Sequence, residues 1–145
     1  MVAASERPFL DTNVLFSGLY NTIGPPAAIL DFHVQRRLRI VISMQLLDEL
    51  VRTIERKKPE LLPRLTALLT NAPPELVDDP SDEQVQRVSS YINLTDAPIL
   101  AVALSSGADC IVTGNTRHFT QEVARQAKIA IFTPAAYLAT LQQRS

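Results

Sequence analysis

The stretch that most constrains this chain is Phe9-Leu10-Asp11-Thr12-Asn13-Val14-Leu15. A short apolar run ends in a carboxylate, a hydroxyl and an amide, and an apolar helical pattern begins at once, so a strand gives way to a helix at Asp11. Similar runs recur. Ile40-Val41-Ile42 is continuously apolar, as buried parallel strands are, Asp109-Cys110-Ile111-Val112-Thr113 is a strand around the apolar run Cys110 to Val112, Glu75-Leu76-Val77 reads as a short edge strand and Ala130-Ile131-Phe132 as the last strand. Strands alternating with helices imply an α/β fold with a short, mostly parallel central sheet, and such sheets place ligands beyond the carboxyl ends of their strands. An Asp-Thr pair at that place also suits a helix N-cap, so the residues alone leave two roles open for Asp11.

The intervening helices follow from apolar periodicity. Val14 to Tyr20 makes one, and Pro26 to Gln35 another, with His33 on its apolar face as a half-buried residue rather than a metal ligand. Ser43 caps a helix running to about Lys57, along which Leu46, Leu50 and Ile54 draw a stripe flanked by Glu49. A leucine-rich helix spans Pro59 to Leu69, and an acidic turn, Asp78 to Glu83, leads into a helix ending near Ile92. Asp96 opens the most apolar helix, Ile99 to Leu104, and the last helices run from Gln121 to Gln126 and onward from Thr133-Pro134.

With 145 residues, 46% of them hydrophobic and 20% charged, the chain suits a single domain, 1–145, whose first six residues are expected to be flexible. A net charge of -1 gives no general basic field, so a nucleic acid would have to be drawn by local runs such as Arg36, Arg37 and Arg39 or Arg56, Lys57 and Lys58. The one cysteine, Cys110, reads as a buried strand residue. No apolar run approaches the ~20 residues of a membrane helix. Met1 to Glu6 lacks a basic segment followed by an apolar core, so the expected location is the cytoplasm, with no membrane partner.

Asp11, Glu49 and Asp96 each stand at the polar end or flank of an element, and Asn115 ends the strand of Cys110 in a comparable position. Carboxylates brought to one sheet edge repel one another and call for protons or a cation. A hard ion such as Mg²⁺ or Mn²⁺ suits an all-oxygen set, whereas Zn²⁺ prefers His and Cys. Ions of that kind suit phosphodiester hydrolysis.

The segments FLDTNVLFSG (Phe9 to Gly18), LLDELVR (Leu46 to Arg52) and DAPILAVALSSGADCIVTGNTRHF (Asp96 to Phe119) resemble the PIN-domain family, specifically its small VapC-like ribonuclease toxins. The resemblance implies a three-layer α/β/α sandwich. It also implies a Mg²⁺- or Mn²⁺-dependent endoribonuclease, the toxin of a type II toxin-antitoxin pair, with an antitoxin partner and a homodimeric state. The leucine-rich helix is a candidate for the dimer face. Asp11 and Asp96 would coordinate the metal, and Glu49 would be a ligand or position the attacking water. Asn13 and Thr113 would orient these acids, and Arg52 and Arg117 would meet RNA phosphate, although Arg52 also suits an ion pair on its own helix. His118 suits either a substrate contact or a cap. One departure concerns the fourth acid common in the family: here Gly114-Asn115-Thr116 offers a neutral amide.

Two other functions share parts of the pattern. Phe9-Leu10-Asp11 also resembles the opening of haloacid-dehalogenase-type phosphatases, but the acid normally found two residues later is Asn13. A non-catalytic RNA-binding or scaffold domain is compatible with Asn115.

Overall fold

The computed structural model describes residues 6–144. Its frame is a five-stranded sheet of three-residue strands: β1 Pro8–Leu10, β2 Val41–Ser43, β3 Glu75–Val77, β4 Cys110–Val112 and β5 Ala130–Phe132. Their order is β3-β2-β1-β4-β5, and every pairing is parallel. The three inner strands are buried throughout, whereas β3 and β5 at the edges are partly exposed. Continuous apolar runs inside and mixed ones at the rim are what a sheet covered on both faces requires.

Between β1 and β2 lie α1 Thr12–Tyr20 and α2 Pro25–Val34, and between β2 and β3 lie α3 Met44–Lys57 and α4 Leu62–Asn71. The helices α5 Asp82–Val88 and α6 Ala97–Ser105 carry the chain from β3 back across to β4. After β4 come α7 Gln121–Ala127, β5 and α8 Pro134–Gln143. Because crossovers are right-handed, the outward walk from β1 to β3 and the reverse walk from β3 to β5 place their helices on opposite faces. The helix contacts agree: α1 packs on α2 and α3, and α5 on α6. The fold is therefore α/β with helices flanking a parallel sheet, and its winding reverses between β1 and β4.

Three boundaries differ from the sequence expectation for physical reasons. The α1 helix starts at Thr12, because Asp11 already caps it by accepting the Thr12 N–H. The helix expected from Pro59 is a 3-10 turn, Pro59–Leu61, followed by α4. Pro63 lacks the N–H that would bond to the Pro59 carbonyl, and its ring would meet that carbonyl, so the helix restarts. The α5 helix ends at Val88 rather than near Ile92, since the Ser89 hydroxyl turns back on the Gln86 carbonyl at 2.8 Å.

Leu61, Leu65 and Leu68 are buried within the chain, so the leucine stripe is spent on the core. Gly18 allows α1 and α2 to close on each other, because a Cβ there would stand 2.6 Å from Leu30 Cδ1 and 3.0 Å from the Pro26 carbonyl. His33 is buried rather than half-buried. The Ile40 N–H donates to His33 Nδ1 at 3.0 Å and Nε2 donates to the Ala72 carbonyl at 2.8 Å, which requires a neutral ring.

The end of the sheet where the strands begin is sewn together. Arg7 holds both Glu75 carboxylate oxygens at 3.0 and 2.6 Å and donates to the carbonyls of Ser106 and Gly107, while its own N–H meets Asp109 at 2.7 Å. Residues 1–5 of the N-terminus expected to be flexible lie outside the described residues, but Glu6 is anchored. Its carboxylate accepts from Tyr137 at 2.7 Å and pairs with Arg144, and its carbonyl accepts from the Arg39 N–H at 2.9 Å.

Two outcomes follow from these local features. Arg36 closes α2 in the left-handed region, at φ 63°, while Arg36 and Arg37 donate their N–H groups to His33 and Phe32. Arg36→Gly therefore stabilises the chain by about 1 kcal/mol, read from chemical denaturation. Burial, reinforced by the charge of Arg39, holds the His33 imidazole below its usual titration range. Below pH ~6.5 the unfolded chain binds a proton that the folded one resists, so this contribution is complete above pH ~6.5 and is lost as pH falls. The stability of wild type minus that of His33→Gln, measured from pH 7 to 5, should decline with acidity.

Candidate active site

The reversal between β1 and β4 opens a crevice at the carboxyl ends of those strands, where a doubly wound sheet carries its ligand. Asp11 follows β1 directly, and its N–H continues the ladder by donating to the Val112 carbonyl at 3.1 Å. Its two carboxylate oxygens are used differently: Oδ1 accepts the Thr12 N–H at 2.7 Å, and Oδ2 accepts the Thr113 hydroxyl at 2.9 Å. Cap and candidate site residue are thus one and the same side chain. Asp11 is only 8% exposed, and burial raises its carboxyl above the usual range despite those two hydrogen bonds, with the charge of Asp96 adding to the rise.

Thr113, fully buried after β4, passes the arrangement on by accepting the Asn115 N–H at 3.0 Å. The Asn115 amide in turn reaches Asp96 Oδ1 at 3.4 Å and His118 Nδ1 at 3.3 Å. Asp96 precedes α6, its N–H held by the Asn93 side chain at 3.0 Å. It is also 8% exposed, and its second oxygen, Oδ2, accepts no hydrogen bond although His118 Nδ1 lies 2.7 Å away. The short approach without hydrogen-bond geometry leaves that oxygen buried and unsatisfied. The Thr12 hydroxyl is likewise buried without a partner.

Glu49 lies on the second turn of α3, exposed at the mouth of a small cleft bounded by Ser43, Gln45, Thr95, Pro98 and Ile99. Partial burial and then the Asp11 charge raise its carboxyl. The three acids therefore share one electrostatic neighbourhood. Among the described residues, however, no three His, Cys, Asp or Glu side chains are close enough together to hold an ion in this geometry.

The remaining expected residues fall further out. Asn13 is exposed on the first turn of α1, and Arg117 is exposed on the turn after β4. Arg52 is exposed and pairs with Asp48 at 3.1 Å, one helical turn away. The basic run Arg36, Arg37 and Arg39 precedes β2, so it belongs to the opposite end of the sheet, where Arg39 faces Glu75 and Arg37 lies over Phe32. Arg56, Lys57 and Lys58 end a 14-residue helix that starts at the site edge, and Lys58 lies over Tyr20. Neither run borders the acids. His118, which spacing alone leaves between contact and cap, stands against Asp96; its position three residues beyond Asn115 was the available signal.

A family model for the PIN domain matches residues 7–117. The chain belongs to the PIN-domain family. No curated protein matches it. Among solved structures, this PIN domain is similar to FitAcB from Neisseria gonorrhoeae at 20% identity and TM-score 0.59, over 88% of this chain and 97% of that one. It is similar to VapBC2 from Rickettsia felis, bound to a DNA fragment from their promoter, at 19% identity and TM-score 0.63, over 86% and 96%. PAE2754 from Pyrobaculum aerophilum aligns at 21% identity and TM-score 0.57, over 90% and 85%. At these identities the likeness is one of fold.

The donor chemistry fits a hard divalent cation. Oxygen donors dominate, two of them are buried with no hydrogen bond, and the like charges of Asp11 and Asp96 raise each other's cost. Saturating Mg²⁺ or Mn²⁺ at about 100 times its dissociation constant should add ~2.7 kcal/mol, or about 5–10 °C in melting temperature, to metal-stripped protein. Asp96→Asn should abolish the shift in the same differential-scanning experiment.

Proposed function

We propose that this PIN domain is a Mg²⁺- or Mn²⁺-dependent endoribonuclease that hydrolyses RNA phosphodiester bonds, acting as the toxin of a toxin-antitoxin pair. The observation that carries the reading is the buried Asp96 oxygen left without a hydrogen bond beside the buried Asp11, at the point where the sheet reverses its winding. Family membership supports a nuclease. The VapBC2 structure, held with promoter DNA, is the kind of assembly in which a chain of this fold would have a protein partner.

In this reading Asp11 and Asp96 hold the ion, with Thr113 fixing Asp11 and Asn115 steadying Asp96. When bound, a divalent ion supplies positive charge to the scissile phosphate and acidifies a water. Glu49, at the rim and reachable from solvent, takes the proton of the attacking water on its carboxylate. Arg117 is free on the surface to meet phosphate, whereas Arg52 must first leave Asp48. The phosphatase alternative would need an acid at the exposed Asn13. The scaffold alternative rests on Asn115, whose amide supplies no charge to the edge.

Purified chain incubated with structured and unstructured RNA should cleave with Mg²⁺ or Mn²⁺ and stop in EDTA. Asp11→Asn and Asp96→Asn should each slow cleavage at least about 100-fold, the equivalent of roughly 3 kcal/mol. Cleavage indifferent to EDTA and to both substitutions would overturn the metal reading, and RNA binding without cleavage under every condition would establish the scaffold. The expected homodimer is checked on the same preparation by sedimentation.

A further inference from the structure

Two different side chains meet beside the Asp96 carboxylate. The imidazole Nδ1 of His118 stands 2.7 Å from Asp96 Oδ2, and the Asn115 amide lies 3.3 Å from that nitrogen and 3.4 Å from Asp96 Oδ1. A histidine serving only to neutralise or orient a carboxylate would place an N–H on the oxygen it faces. Here Oδ2 is buried and accepts no hydrogen bond, so the close approach is not explained by one. Its spacing instead matches two donors to one ion: adjacent octahedral ligands at about 2.1 Å from a metal lie about 3 Å apart. His118 is half exposed, its side chain 50% accessible, so the ring can adjust at little cost. The chain has two histidines, and His33 has both ring nitrogens committed to Ile40 and Ala72.

We propose that His118 donates its Nδ1 to the divalent ion of this site, adding a nitrogen where Asn115 contributes no charge, and that it tilts the site from Mg²⁺ towards transition ions of the Mn²⁺ class. The proposal rests on the metal-site reading above. Mg²⁺ takes oxygen donors in strict octahedral geometry, whereas imidazole is a borderline donor that transition-series ions accept more readily. A site of two buried carboxylates and an imidazole therefore discriminates among ions in a way that an all-carboxylate site does not.

The test uses the full chain, free of any affinity tag and stripped of metal. Calorimetric titration with Mn²⁺ and Mg²⁺ is paired with electron spin-echo spectroscopy of the Mn²⁺ form, which detects a coordinated imidazole through its ¹⁴N modulation. Wild type should show the modulation. His118→Ala and His118→Gln should lose it, bind Mn²⁺ about tenfold more weakly or worse, keep Mg²⁺ affinity within about twofold, and melt like wild type in EDTA. Saturable Mn²⁺ binding that depends on Asp96 but shows no ¹⁴N modulation would overturn the proposal while leaving the carboxylate site standing. Equal loss of Mg²⁺ and Mn²⁺ affinity in His118→Ala with no ¹⁴N signal in wild type would also overturn it, making His118 a positioning residue. If wild type binds neither ion in an Asp96-dependent way, the metal-site reading fails and the proposal with it.

Discussion

Everything at the candidate site depends on the parallel pairing of β1 with β4. Pro8, Phe9 and Leu10 face Cys110, Ile111 and Val112 in register, and the ladder runs one step further through the Asp11 N–H to the Val112 carbonyl. That added bond brings Asp11 level with Thr113, so the hydroxyl-to-carboxylate contact between residues 102 apart in sequence follows from backbone register. Both strands are entirely buried, and a one-residue slip would exchange their side chains between two differently packed layers and break the close packing of each, so the register is specified by the core. Asn115, Asp96 and His118 then attach to Thr113 as a chain of short polar contacts.

The site edge costs the fold stability. Two carboxylates that are each 8% exposed oppose one another, and burial and mutual charge raise the Asp11 carboxyl. Hydrogen bonds from Thr12 and Thr113 offset part of that cost for Asp11, while Asp96 keeps an unsatisfied oxygen. Strain of this sort concentrates where an ion or substrate is to be received, and it is tolerated because the core below is continuous from Phe9 and Ile42 to Leu100 and Ile111.

All five strands were legible in the sequence, four as short apolar runs and Glu75-Leu76-Val77 as a mixed edge segment after Pro73-Pro74. The helix ends were less so. Pro63 breaks the expected helix from Pro59 through a missing donor at one spacing, and the stop at Val88 depends on a serine hydroxyl folding back. Of the candidate site, Asp11, Glu49, Asp96 and Asn115 were expected at one edge from their places at the ends or flanks of elements and from family resemblance, with Thr113 orienting them. Which oxygen would lack a partner was not readable, since it depends on how the turn from Gly114 to Phe119 sets His118. The place of the basic runs was unreadable for a related reason: a charge cluster does not reveal which end of a sheet it joins, and Arg36, Arg37 and Arg39 enter β2 at the end remote from Asp11.

The Arg7 clamp gives the molecule an electrical direction. At the end where strands begin, Arg7 and Arg39 both meet Glu75, Arg144 meets Glu6, Asp109 accepts the Arg7 backbone N–H, and Arg36 and Arg37 precede β2. At the other end stand Asp11, Glu49 and Asp96, with Asp78 and Asp79 following β3. A net charge of -1 thus conceals an uneven distribution, with arginines gathered at the foot of the strands and the candidate-site acids at the head. For a polyanion the arginine-rich foot is then the less repulsive approach, and neutralising the acids at the head would lower the barrier there.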